Sequence, residues 1–197
     1  MNVYILLDRS GSMSSLWNEA IGAINAYVKK LDKKTKIFLS TFDNESYDVL
    51  RNSSVKEWKD IGEKESHPRG MTPLYDSCAR IMNRAIEDNS DKTILVVMTD
   101  GFENCSREHT REQIKAKIKD FEKKNWEVVF LGANFDKVDS VASDLGLAYN
   151  KFTNITTNNL RSYMMGSLAD ATVAYTTAGT AVNITDKDKM SATKASV

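Results

Sequence analysis

Two runs, Val3-Tyr-Ile-Leu-Leu7 and Thr93-Ile-Leu-Val-Val-Met-Thr99, carry no charge, and each gives way at once to an aspartate, Asp8 and Asp100. A strand with one face in water alternates apolar and polar residues. A run that is apolar almost throughout is buried on both faces, as in the middle of a parallel sheet covered by helices on each side. Both runs are far shorter than the ~20 apolar residues of a membrane-crossing helix.

Parallel neighbours need crossover connections, and the intervening segments supply them. Trp17, Ile21, Ile24, Val28 and Leu31 recur at steps of three and four, and so do Leu74, Cys78, Ile81, Met82 and Ala85. The same spacing predicts helices around Ile114, Ile118 and Phe121, over 136–145, and along Leu160, Met164, Leu168, Ala171 and Tyr175. Strands are expected over 36–42, 47–50, 127–131 and, weakly, 148–152. The Asp43-Asn44-Glu45 turn is too short to hold a helix, so the strand after it must be antiparallel and at the edge. This alternation describes a three-layer α/β/α, doubly wound, Rossmann-like sheet, mostly parallel with one antiparallel edge strand. Its commonest strand order, 3-2-1-4-5-6, sets the first and fourth strands side by side and places the chemistry beyond their carboxyl ends. The domain is expected over 1–178, with 179–197 a polar, loosely held tail.

The residues that reach that crevice are few. Asp8-Arg9-Ser10-Gly11-Ser12 leaves the first strand and Thr99-Asp100-Gly101 leaves the fourth. Gly70-Met71-Thr72-Pro73 opens the second helix, where proline at the first helical position would make Thr72 the N-cap. Asp8, Ser10 and Ser12 are two apart and point to one side of an extended loop. Each piece alone reads as a cap or a turn. Together they form an all-oxygen set of two carboxylates and three hydroxyls, suited to a hard divalent ion such as Mg²⁺, with Mn²⁺ or Ca²⁺ as alternatives, and unsuited to zinc or copper.

Asp8-x-Ser10-x-Ser12, Thr72, and Asp100 with Gly101 resemble the metal-ion-dependent adhesion site of von Willebrand factor A domains. The resemblance covers roughly 1–178 and is strongest toward compact, intracellular single-domain members from bacteria and phages. It implies that Ser10, Ser12 and Thr72 supply hydroxyl ligands, that Asp8 and Asp100 bind directly or through water, and that the ion is completed by a partner protein's aspartate or glutamate. Asp43, Glu103, Asn104, Asn134 and Asp136 end strands on the same rim and are candidates for partner contact. Asp186 and Asp188 in the tail could instead plug the open position from within.

Composition removes other classes. Twenty-seven basic residues balance 27 acidic ones, so no global field favours nucleic acid or an anionic membrane. Two cysteines, Cys78 and Cys105, make neither a disulfide framework nor, with His67 and His109, a zinc site, and both histidines read as solvated loop residues. The expected setting is the reducing cytoplasm. Asp76, one turn into the second helix, reads as a favourable charge at its N-terminus. The rival function is a metal-dependent hydrolase or phosphotransferase using Asp8. A haloacid-dehalogenase-type enzyme, however, needs an aspartate where this chain has Ser10. A metal-dependent, non-enzymatic protein-binding module is the expectation.

Overall fold

A computed structural model describes residues 1–194. Six strands form one sheet in the order β3-β2-β1-β4-β5-β6, built from β1 (Asn2–Asp8), β2 (Lys36–Phe42), β3 (Tyr47–Ser54), β4 (Thr93–Thr99), β5 (Glu127–Ala133) and β6 (Phe152–Ile155). β2 and β3 pair antiparallel, and all other neighbours are parallel. The apolar runs predict this directly: every residue of β4 is buried, and so is β1 from Val3 to Asp8.

The alternation of Cβ directions sorts each strand between two cores. Val3, Ile5, Leu7, Ile94, Val96 and Met98 face α1 (Trp17–Val28), α5 (Thr157–Tyr163) and α6 (Ala169–Ala178). Tyr4, Leu6, Leu95 and Val97 face α2 (Leu74–Asp88), α3 (Arg111–Lys123) and α4 (Val138–Asp144). Among the described residues no helix is long and apolar enough to cross a membrane.

Three elements differ from the sequence reading. β6 begins at Phe152, because Tyr149–Lys151 form a 3-10 turn and pairing with β5 starts only at Phe130↔Phe152. The last helical pattern is divided by a π turn over Met164–Leu168, which shifts the buried face from Leu160 and Tyr163 to Ala169, Thr172 and Tyr175. The third concerns the tail. Within 179–194, Val182, Ile184 and Ala192 are buried in the α1-side core, and α7 (Asp186–Thr193) packs on β6 and α5. Thr185 and Asp188 form a reciprocal capping box that starts α7, a Thr-x-x-Asp signal present in the sequence and passed over there. Residues 195–197 of that expected tail lie outside the described residues.

Candidate functional site

The parallel register Leu7↔Met98 brings the ends of β1 and β4 level. Asp8 and Thr99 therefore emerge side by side, and the Thr99 hydroxyl donates to Asp8 Oδ2 at 2.6 Å. The other Asp8 oxygen accepts from Ser10 N–H at 2.7 Å. Ser10 is extended, with φ −63° and ψ 163°. Its hydroxyl lies 3.1 Å from that of Ser12, which in turn donates to Asp100 Oδ1 at 2.7 Å. Asp8 and Ser10 are buried, Asp100 is half-buried, and Ser12 is exposed. Four of the five expected residues thus form one hydrogen-bonded chain running from the floor of the crevice to its mouth.

Thr72 arrives from a third loop. Gly11 N–H donates to Gly70 carbonyl at 3.1 Å, tying that loop to the serine loop. Thr72 N–H donates to Asn104 Oδ1 at 2.9 Å, while Asn104 N–H returns a bond to Thr72 carbonyl at 3.1 Å. Thr72 is not the N-cap of α2. Pro73 holds that position, with no side-chain cap. The free amides of the first turn are met by a neighbouring loop: Glu103 accepts from Tyr75 N–H at 2.9 Å and Ser106 from Asp76 N–H at 3.1 Å. Thr72 is buried as a residue, and its hydroxyl makes no hydrogen bond among the described residues.

The electrostatics of the crevice are those of two carboxylates without a counter-charge. Burial pushes Asp8 from 3.8 up to about 6, against the hydrogen bonds from Thr99 and Ser10 and with help from the charge of Asp100. Burial also raises Asp100, against its bond from Ser12. No basic side chain pairs with either among the described residues.

The expected rim divides. Asp43 is not on it: its side chain has 0% exposure and is clasped by Arg9 and Arg69. Glu103 is turned inward as well, spending its carboxylate on Tyr75, Cys105 and Ser106. Asn104, Asn134 and Asp136 are exposed. Asn134, at φ +53°, holds the N-terminus of α5 by accepting from Thr157 N–H at 3.0 Å. Asp136 accepts from Asn154 at 2.9 Å. Asp186 and Asp188 do not plug the crevice, being engaged by Tyr149 at 3.1 Å and by Thr185. Asp76 does more than favour a helix N-terminus. It accepts the N–H groups of Arg107, Glu108 and His109 at 2.7, 3.0 and 2.8 Å and lies 3.2 Å from His109 Nδ1, so His109 is half-buried rather than solvated. Burial opposes ionisation of Asp76, but these bonds hold its carboxyl below the usual range.

Two side chains escaped the sequence reading. Met71 and Phe102 are each 48% exposed and adjoin Thr72 and the Asp100-Gly101 turn, setting apolar surface beside the crevice. Large apolar side chains next to polar loop residues were the available signal.

The family model of the von Willebrand factor type A domain matches residues 2–164. No curated protein matches the sequence significantly. Among solved structures, a von Willebrand factor type A protein from Catenulispora acidiphila is similar at TM-score 0.64 and 16% identity, over 85% of this chain and 42% of that one. The vWF domain of the type V pilus tip protein Mfa5 from Porphyromonas gingivalis gives 0.66 and 12%, over 87% and 94%. Proximal thread matrix protein 1 from the mussel byssus, described with a zinc-occupied MIDAS motif, gives 0.64 and 14%, over 86% and 45%. The chain thus spans less than half the length of the first and third. At such identities the likeness shows the fold.

Proposed function

This chain belongs to the von Willebrand factor type A family, and on that premise we propose that it is a metal-dependent protein-binding module. Ser10, Ser12 and Thr72 would hold a divalent ion through their hydroxyls, with Asp8 and Asp100 bound directly or through water. The observation that carries this reading is the buried carboxylate of Asp8 and the half-buried one of Asp100, linked through Ser10 and Ser12 and paired with no basic side chain among the described residues. A cation supplies what that arrangement lacks. The donors are all oxygen, so Mg²⁺ is the expected ion, with Mn²⁺ or Ca²⁺ as substitutes.

A hard ion held by two acids and three neutral hydroxyls keeps an exchangeable position and favours an anion there. The partner is therefore a protein presenting an aspartate or glutamate, met by the exposed Asn104, Asn134 and Asp136 and by the apolar flanks Met71 and Phe102. Asp8 and Asp100 are bonded by Thr99, Ser10 and Ser12, none of which takes up a proton at neutral pH, and this favours binding over hydrolysis. The proposed setting is the cytoplasm.

The test is affinity capture in parallel with Mg²⁺ and with EDTA, using wild type and Thr72→Ala. A partner should bind wild type only with Mg²⁺, be lost with Thr72→Ala, and depend on one of its own acids. A complex indifferent to metal and to every partner acid would refute the reading.

A further inference from the structure

Arg9 lies between two residues of the crevice and is 4% exposed. A buried arginine must be paired, and this one is paired on every side. Its Nε and Nη2 each reach Asp43 Oδ2 at 2.8 Å. Nη1 reaches Asp48 Oδ2 at 2.7 Å and Ser66 Oγ at 2.9 Å, and Nη2 donates to Ser46 Oγ at 2.5 Å. Asp43 also accepts from Glu45 N–H at 2.6 Å, Ser46 N–H at 2.8 Å and Arg69 Nε at 3.0 Å. The main chain joins the same parts: Arg9 N–H donates to Phe42 carbonyl at 2.8 Å, and Arg69 N–H to Arg9 carbonyl at 2.9 Å.

We infer that Arg9 and Asp43 form a positioning clamp, which sets the aim of Asp8, Ser10 and the Thr72 loop toward a bound divalent ion. The inference rests on the metal site proposed above. Side chains alternate along an extended backbone, so anchoring Arg9 on one side directs its two neighbours to the other. The clamp also joins the three loops that must agree: the serine loop, the β2–β3 turn, and Arg69 to Thr72. Asn44 extends the link by accepting Met71 N–H at 2.6 Å.

Stability alone does not account for such a device, because replacing a buried ion pair by apolar residues is often neutral or stabilising. Geometry is the better return. Nor does the clamp repel a cation, since Arg9 and Arg69 face three carboxylates, Asp43, Asp48 and Glu45. Arg9 and Asp43 are thus positioning residues, acting through the groups they aim.

The experiment is calorimetric titration with Mn²⁺, together with thermal melts in EDTA. It uses wild type, Asp43→Asn, Arg9→Lys and Arg69→Gln, with Ile184→Ala as a destabilised control whose clamp is intact. Asp43→Asn and Arg9→Lys should bind Mn²⁺ at least tenfold more weakly than wild type, while Ile184→Ala binds within twofold of it. Arg69, with a side chain 36% exposed, decides the matter by the same tenfold criterion if the buried variants do not fold. Clamp variants that melt lower yet bind Mn²⁺ within twofold of wild type would overturn the inference and leave the metal site standing. Wild type that binds no Mn²⁺ would overturn the site and the clamp together.

Discussion

Replacing Asp8 by asparagine should stabilise the metal-free protein. In the native state the carboxyl is raised by burial from 3.8 to about 6, roughly two units at ~1.36 kcal/mol each, or about 3 kcal/mol. The sign follows from linkage. Between those two values the native state keeps a proton that the unfolded chain has released, so stability falls as pH rises across the window. The full penalty is present above about pH 6. Asparagine removes the charge and keeps the bonds, because its oxygen can accept from Ser10 N–H and its amide can donate to Thr99 Oγ1. That hydroxyl can then turn to Gly101 carbonyl, 3.2 Å away.

In EDTA at pH 8, urea unfolding should place Asp8→Asn above wild type by about 3 kcal/mol, or roughly 6–12 °C in Tm for a domain of this size. The gap should close toward pH 4. With Mg²⁺ at ~100 times its dissociation constant the gap should all but close, since wild type gains ~2.7 kcal/mol and the variant gains little. An Asp8→Asn protein less stable than wild type in EDTA at pH 8 would refute the reasoning and make Asp8 a structural acceptor.

Three further outcomes are expected. Thr72→Ala should unfold in EDTA within about 1 kcal/mol of wild type, because its hydroxyl makes no bond there, yet show no rise in Tm on adding Mg²⁺. Gly70→Ala should lose about 2 kcal/mol in urea titration: φ is +66°, and a Cβ would stand 2.0 Å from Asn44 Oδ1, the acceptor that holds Met71 N–H. Ile184→Ala should lose about 3 kcal/mol by the same assay, since that side chain is 4% exposed within the α1-side core. Stability unchanged by it would mean that residues 179–194 do not pack on the domain.

Legibility in the sequence followed the range of the physics involved. Strands buried on both faces must be apolar along their length, so β1 and β4 were readable as central and Asp8 and Asp100 as sharing a crevice. The short turn at Asp43 to Glu45 made β3 antiparallel for reasons of chain geometry alone. Thr72 lies in a loop tied to the serine loop through Gly70 and Gly11, and it does not cap α2. Which group meets the free amides of α2 depended on a loop 30 residues away, the one carrying Glu103 and Ser106.

The same division holds for the molecule as a whole. Apolar periodicity and strand-end chemistry, both local, determined the three layers and the strand order, and singled out Asp8, Ser10, Ser12 and Asp100, which hydrogen bonds join in the structure. Asp43 showed the limit, since nothing near it in sequence distinguishes an exposed turn aspartate from one buried beneath Arg9 and Arg69. Only the tertiary structure decided that pairing, the seating of Val182, Ile184 and Ala192 in the core, and the raised carboxyl of Asp8. Each depends on desolvation and on partners brought together by folding, and a carboxylate's energy in a protein is set by its surroundings, not by its neighbours along the chain.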